Sequence, residues 1–301
     1  MTEILHGRAI ADSIKADVAA LARELSESGI DPRLAIVLIG DDPASRIYTA
    51  SIEKSAARAG ITVTVVEPAA SAGVDGVAAA LRDLDRDPEV HGIIVQQPLP
   101  AEIPAAVIEE VSPEKDVDGS TTRSAGLLAV GRPAFAPCTA GAVVEMLVRS
   151  GVKTSGRHVV IVGRSPVVGR PLALLLLRKE DAGNATVTVC HSRTVDLERH
   201  TRSADILVAA MGRPEAIRGH MVGEGAVVVD VGVNRVEDAG APKGYRIVGD
   251  VAFDEVVGKA AAITQVPGGV GTLTTALLLL HTVRAAGAQS GRGDGGGGRL
   301  G

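Results

Sequence analysis

The stretch His158–Pro171, HVVIVGRSPVVGRP, constrains the fold of this chain more than any other. Val159–Val162 is wholly apolar and β-branched, the pattern of a strand covered on both faces. Gly163 ends it, and Pro171 with the leucine-rich run Leu172–Leu177 continues at helical length. Strand, tight glycine turn and helix leave backbone N–H groups at a helix N-terminus, a ready anion site. The spacing is not G-x-G-x-x-G: Ser165 stands where the second glycine would be, and Gly163 and Gly169 remain. These residues alone leave open a turn whose glycines serve only close packing.

The surroundings favour the anion site. Ala185–Cys190 is a second strand at βαβ distance, followed by His191-Ser192-Arg193-Thr194. Asp205–Ala210 and Ala226–Val231 are two more apolar strands, ending near Gly212 and Gly232. Short β-rich runs separated by helix-length segments predict a parallel sheet with helices on both faces. Ligands of such sheets bind outside the carboxyl ends of the strands. An NAD site would place Asp or Glu after the second strand for the ribose 2′-OH. Here that position offers Ser192 and Arg193, with Arg164 in the first turn, a set that suits a 2′-phosphate and hence NADP. The alternative is arginines on a solvated rim.

A chain of 301 residues can hold two domains. Its 31 basic and 36 acidic residues give a net charge of −5 with no basic cluster, which argues against nucleic acid as a partner. Tyr48, Tyr245, Phe135 and Phe253 are the only aromatic residues, so the core is aliphatic. Cys138 and Cys190 show no metal spacing and read as small buried hydrophobes in a reducing compartment. The histidines form no H-x-x-x-H pair, and no metal site is expected. No apolar run approaches membrane-spanning length and no signal pattern opens the chain, so a cytoplasmic protein is expected. Gln289–Gly301 reads as a disordered tail.

In the first half, Ile10, Ile14, Val18, Leu21 and Leu25 form a helical stripe that Gly29 closes. Leu34–Ile39, Ile61–Val66 and His91–Gln96 are strands. Asp42-Pro43 opens a helix to about Ala59, with Asp as N-cap and Pro at the first position. Ser45, Tyr48 and Ile52 share a face of it by their spacing. Tyr48, Gln96 and the charged loop ending in Asp118 could converge at one sheet edge. Each has an ordinary alternative: core tyrosine, surface amide, turn former. Val74–Leu84 and Thr139–Arg149 are further helices. A last helix, from Thr272 to about Ala286, is too aliphatic for a loose tail and is expected to return to the first domain. The Pro267–Gly271 turn before it would then lie at an interdomain cleft, a common small-molecule site.

With these pieces assembled, the chain resembles the bifunctional methylenetetrahydrofolate dehydrogenase/cyclohydrolase family over nearly its full length. The matching words occur in the family's order. They begin with Pro43-Ala44-Ser45 and Tyr48, then GIIVQQPLP (Gly92–Pro100), PEKDVDG (Pro113–Gly119), PCTAG (Pro137–Gly141) and VGRSPVVGRP (Val162–Pro171). After these come CHSRT (Cys190–Thr194), VVDVGVNR (Val228–Arg235), VGDV (Val248–Val251) and VPGGVGTLT (Val266–Thr274). The family oxidises the methylene bridge of methylenetetrahydrofolate with NAD(P), then adds water to the methenyl product. The resemblance implies that Gly163, Arg164, Ser165, Gly169, Ser192 and Val233 hold the cofactor. Arg164 and Ser192 fall at the 2′-phosphate. It further implies that Asp118 grips the pterin edge, Tyr48 stacks on or orients the folate, and Gln96 stands beside the reacting carbon. Ser45 and the turn Pro267, Gly268, Gly269 would complete the folate side.

The departures are as informative. The family carries a lysine four residues after the tyrosine for the cyclohydrolase proton work; here Ile52 stands there, and isoleucine neither donates nor accepts. Lys54 points roughly 120° away around the helix. Prolines expected at Gln265, Thr272 and Ala140 are also missing, changes expected to loosen the folate-side turns. The expectation is therefore a two-domain α/β protein. Residues 1–149 with 272–288 form the folate-side catalytic domain; residues 150–271 form a Rossmann-like NADP domain with a largely parallel sheet. By resemblance the chain is a homodimer. Its expected function is NADP-dependent methylenetetrahydrofolate dehydrogenation with the cyclohydrolase step weakened or lost. The alternatives are a fully bifunctional enzyme and a non-catalytic folate- or NADP-binding regulator.

Overall fold

The apolar runs become strands in the computed structural model, which describes residues 1–69 and 72–291. Along the chain it forms β1 (Glu3–Leu5), α1 (Gly7–Glu27), β2 (Arg33–Val37), α2 (Pro43–Ala59), β3 (Thr62–Val66), α3 (Gly73–Arg86) and β4 (Gly92–Val95). Next come α4 (Thr122–Ala129), α5 (Cys138–Arg149), β5 (His158–Val162), α6 (Gly169–Leu177), β6 (Thr186–Cys190), α7 (Leu197–Arg202) and β7 (Ile206–Ala209). The remainder holds β8 (Val227–Asp230), β9 (Asn234–Glu237), β10 (Tyr245–Val248), α8 (Phe253–Val256), β11 (Ala262–Thr264) and α9 (Thr274–Gln289).

Two compact units divide these elements. One comprises Met1–Ala11 and Thr139–Thr274; the other comprises Asp12–Cys138 and the chain from Thr275 on. The edges differ from the expected 1–149 and 150–271 division. The N-terminus belongs with the later sheet because β1 pairs with β11, Glu3 opposite Ala262 and Leu5 opposite Thr264. Residues 139–149 also fall in that unit, while α9 from Thr275 joins the residues that follow Asp12. No helix among the described residues is long and apolar enough to cross a membrane. Of the expected tail, Gln289 closes α9, and residues 292–301 lie outside the described residues.

The first unit is built on a six-stranded sheet, β1-β11-β8-β7-β5-β6, with every pair parallel. A separate antiparallel hairpin pairs β9 with β10. All four residues of β7 and the last four of β5 are buried, so these central strands read as unbroken apolar runs. The chain leaves β5 for β6 on one side and returns to β7 on the other. The carboxyl ends of β5 and β7 therefore form the switch point where such sheets bind ligands.

In the second unit, β2 lies between β3 and β4, all parallel. Ala35, Val37, Ile93, Val95, Val77 and Leu81 belong to the aliphatic core on one side of this sheet. The N-terminus of α2 forms as its sequence dictates: the Asp42 carboxylate accepts the Ser45 N–H at 2.7 Å and Pro43 opens the helix. Gly60 ends it in the left-handed conformation at φ 76°.

Candidate active site

Two glycines shape the turn after β5 because nothing larger fits. A Cβ on Gly163, at φ +143°, would stand 2.1 Å from the Ala210 carbonyl oxygen at the end of β7. A Cβ on Gly169 would stand 2.1 Å from the Gly163 carbonyl oxygen, so the first residue of α6 packs directly on the turn. Between them the Ser165 hydroxyl accepts the Val168 N–H at 3.1 Å, and the Ser165 carbonyl accepts from Arg170. That hydroxyl thus builds the turn, and the first turn of α6 is closed onto it, Leu172 donating to the Val168 carbonyl at 2.9 Å while Pro171 carries no N–H.

Sheet register brings the other predicted cofactor residues to the same end. Val162 pairs with Cys190 and with Ala209, and Ala209 pairs with Asp230. Arg164 and Ser192 each lie two residues beyond the paired Val162 and Cys190, and both are exposed. The Cys190–Thr194 turn is self-supporting: Thr194 Oγ1 accepts the His191 N–H at 2.9 Å, and His191 Nδ1 accepts that of Arg193 at 3.1 Å. Val233, three residues after β8, is 67% exposed. An open glycine turn flanked by an exposed arginine and serine, with no carboxylate in either turn, fits a dinucleotide phosphate.

Two aspartates that sequence reasoning left without a role hold this end together. Asp230 accepts the N–H groups of Gly232, Asp250 and Val251, each at 2.9 Å. Burial, with repulsion from Asp250 and against the pull of those amides, pushes its pKa up to about 6. Asp250, fully buried, accepts the amides of Met211, Gly212 and Arg213 at 2.6–2.9 Å and the Asn234 side chain at 2.9 Å. Their signal lay in the glycines beside them. A Cβ on Gly249 would meet Asp230 Oδ2 at 1.8 Å, and one on Gly232 would meet Asp250 Oδ1 at 2.3 Å.

The Gln265–Thr272 turn belongs to this same unit, where Gly268 has φ +110°. Gly7, at the start of α1, packs on it, donating its N–H to the Gly268 carbonyl at 3.0 Å. A Cβ on Gly7 would meet the Gly269 oxygen at 2.2 Å. Pro267 and Gly268 are exposed and Gly269 is buried. Thr272 does not loosen the turn, as the lost proline had suggested, because its hydroxyl donates to the Gly269 carbonyl at 2.7 Å.

In the second unit, the Ser45 hydroxyl lies 2.9 Å from both Asp42 Oδ2 and the Gln97 carbonyl. It ties α2 to the segment after β4 and is 4% exposed, so it is occupied in holding the scaffold. The buried face of α2 is Ser45, Thr49, Ile52, Ala56 and Ala59, and Ile52 is 0% exposed. Tyr48 sits partly exposed beside that face, and Lys54 is exposed. Gln96 follows β4, is 5% exposed, and its Nε2 has no partner among the described residues. A buried amide donor left open in this way fits a ligand group.

The paired aspartates of the 115–119 loop have separate tasks. Asp116 is spent on structure: it accepts the Ser120 and Thr121 amides at 2.9 Å and the Ser124 hydroxyl at 2.6 Å. Asp118 is partly exposed as a residue, yet burial of its carboxyl, reinforced by Asp116, pushes its pKa up to about 7. Gly119 at φ +61° turns the chain where a Cβ would meet the Ala136 backbone at 2.5 Å. Cys138 is buried, as expected, and its thiol packs among polar groups. Its Sγ lies 3.6 Å from the Val117 carbonyl and 3.9 Å from His281 Nδ1, and burial, reinforced by Asp118, pushes the thiol's pKa well up.

The parallel sheet, its switch point and its glycine turn define a two-domain α/β protein with a Rossmann-like nucleotide-binding domain. Comparison with known proteins narrows this further. Residues 5–118 match the catalytic domain and residues 137–290 the NAD(P)-binding domain of tetrahydrofolate dehydrogenase/cyclohydrolase. The chain belongs to the tetrahydrofolate dehydrogenase/cyclohydrolase family. It is 47% identical over 290 residues to the bifunctional protein FolD of Natronomonas pharaonis, covering 96% of this chain and 97% of that protein. It is 46% identical to the bifunctional protein FolD 2 of Geobacter sulfurreducens, covering 95% and 97%. The crystal structure of the Campylobacter jejuni bifunctional enzyme FolD superposes with a TM-score of 0.88 at 40% identity, covering 96% of this chain and 99% of that one. The Trypanosoma brucei methylenetetrahydrofolate dehydrogenase-cyclohydrolase, complexed with NADP cofactor and inhibitor, gives a TM-score of 0.86 at 36% identity, covering 97% and 99%.

Proposed function

We propose that this chain is an NADP-dependent methylenetetrahydrofolate dehydrogenase in which the cyclohydrolase step is weakened or lost. The observation that carries the second half is the buried face of α2. Ser45, Thr49, Ile52, Ala56 and Ala59 include no side chain that takes up or releases a proton near neutrality. Where the family resemblance calls for a lysine, Ile52 is sealed in the core.

For the dehydrogenase half, Gly163, Arg164, Ser165, Gly169, Ser192 and Val233 would hold NADP, with Arg164 and Ser192 at its 2′-phosphate. Bound NADP supplies the hydride acceptor, and the chain's own part is positioning. Asp118 would accept from the pterin N–H edge, Gln96 would offer its unpartnered amide near the reacting carbon, and Tyr48 would orient the ring system. Pro267, Gly268 and Gly269 would shape the folate side, with Ser45 acting through the α2 N-terminus. A cytoplasmic homodimer is part of the same reading.

A second reading, both activities intact, has one observation in its favour. Asp118, with its pKa near 7, exchanges a proton in the working range. The test is to follow the two steps separately on purified protein, NADPH formation from methylenetetrahydrofolate and hydrolysis of added methenyltetrahydrofolate. Rapid dehydrogenation with slow hydrolysis supports the first reading; matched rates support the second.

A further inference from the structure

The carbonyl of Val117, the residue before Asp118, is gripped from a helix that lies far along the chain. His281, on α9, is 0% exposed, and its Nδ1 lies 2.8 Å from the Val117 carbonyl oxygen. A carbonyl only accepts, so the ring carries its proton on Nδ1 and donates there. The Phe135 ring packs against the imidazole with centroids 4.9 Å apart, and Cys138 Sγ approaches the same carbonyl at 3.6 Å. His281 Nε2 has no partner among the described residues. A polar ring within the aliphatic stretch Ala276–Val283 costs desolvation, which its one strong hydrogen bond must offset.

The oxygen that His281 grips belongs to the planar peptide unit joining Val117 to Asp118, so fixing it fixes the plane from which Asp118 projects. Asp116 already anchors the other side of Val117 through its three partners on Ser120, Thr121 and Ser124. We propose that His281 is a positioning residue for Asp118, its Nδ1–H setting the direction in which the Asp118 carboxylate is offered to the pterin edge. The proposal rests on the assignment of Asp118 to the folate. Burial supports it by keeping the imidazole neutral, its pKa lowered to about 4, so the donor keeps a single proton on Nδ1 at working pH.

The experiment compares His281→Leu, which removes the donor, with His281→Asn, which retains one. Each is made alone and together with Asp118→Asn. The leucine variant should raise the methylenetetrahydrofolate KM about tenfold, the effect of losing the stronger of two donors to a buried carbonyl. Its kcat and NADP Kd should stay within about twofold, and the asparagine variant should recover most of the loss. In the Asp118→Asn background, His281→Leu should add little, because both act through one contact. A folate KM unchanged in the leucine variant, equal loss in both His281 variants, or full additivity with Asp118→Asn would each overturn the proposal. If Asp118→Asn alone leaves the folate KM untouched, the folate assignment itself fails, a result separate from these. Should the leucine variant not fold, His281→Met, an adaptable apolar side chain, takes its place in the same comparison.

Discussion

The Asp230 carboxylate accepts the backbone N–H of Asp250 at 2.9 Å, and the Asp250 carboxylate accepts the amides of Met211, Gly212 and Arg213. Two buried charges thus pass order from the end of β8 to the end of β7, where the glycine turn of β5 also lies. Asp250→Ala strips four donors of their acceptor. It should cost at least about 1–3 kcal/mol of stability in denaturant unfolding. It should also weaken NADP binding, read by calorimetry, more than folate binding.

Burial holds both Asp118 and Asp230 above the ordinary aspartate value of 3.8, at about 7 and about 6. Folded protein therefore retains protons that the unfolded chain has released between those values, and stability falls as pH rises through that window. His281, its pKa lowered to about 4 by burial, works in the opposite direction below its ordinary value. The aspartate contribution is therefore read by comparing unfolding midpoints from pH 4 to pH 8 in the unaltered protein and in Asp118→Asn, which should lose part of the decline. The same pH dependence in both proteins would contradict the Asp118 shift.

The same value gives Asp118 a functional signature. Only the ionised carboxylate accepts two pterin N–H bonds, so folate binding should weaken below pH 7, by up to about tenfold per pH unit. In Asp118→Ala the affinity should be low throughout and the pH dependence absent, with NADP affinity near normal. A folate KM that ignores both pH and the substitution would leave Asp118 a turn former.

Cofactor choice is tested at the paired turns after β5 and β6. NADP should be strongly preferred over NAD, and Arg164→Ala with Ser192→Ala should erode the preference. Loss of a hydrogen bond to the phosphate should cost on the order of 1.5–3 kcal/mol for each charged contact. Equal catalytic efficiency with both cofactors in the unaltered protein would remove the basis for this assignment.

Much of this arrangement was legible in the sequence because it follows from local pattern. The β-branched runs of β5, β7 and β8, the Asp42-Pro43 helix start and the glycine turn at Gly163 each announce themselves within a few residues. What escaped depends on partners distant in sequence. β1 is three residues long and is a strand only because β11 is there to pair with it. His281 sits in an apolar helix with nothing local to mark it, and its meaning comes from the carbonyl of Val117. The two aspartates of the KDVDG word look alike in sequence, and only the hydrogen bonds of Asp116 separate the structural one from the candidate ligand.

Ile52 carries the most consequential prediction. In a family whose pattern places a lysine there, the residue is an isoleucine with 0% exposure on a face of α2 that holds no titratable group. A general acid–base group typically supplies about 10²- to 10⁴-fold, so replacing the lysine with isoleucine should depress hydrolysis of methenyltetrahydrofolate by a factor in that range. The methenyl product should accumulate during the coupled reaction. Ile52→Lys should raise the hydrolytic rate while leaving the dehydrogenase rate near its starting value. The gain carries a structural cost: a longer, polar side chain in a filled site should lower stability by about 1–3 kcal/mol. Desolvation should also depress the new amine's pKa toward neutrality, which is what a proton carrier at this position requires. Hydrolysis already matching dehydrogenation in the unaltered protein would show that another group, with Asp118 the first to examine, moves the proton.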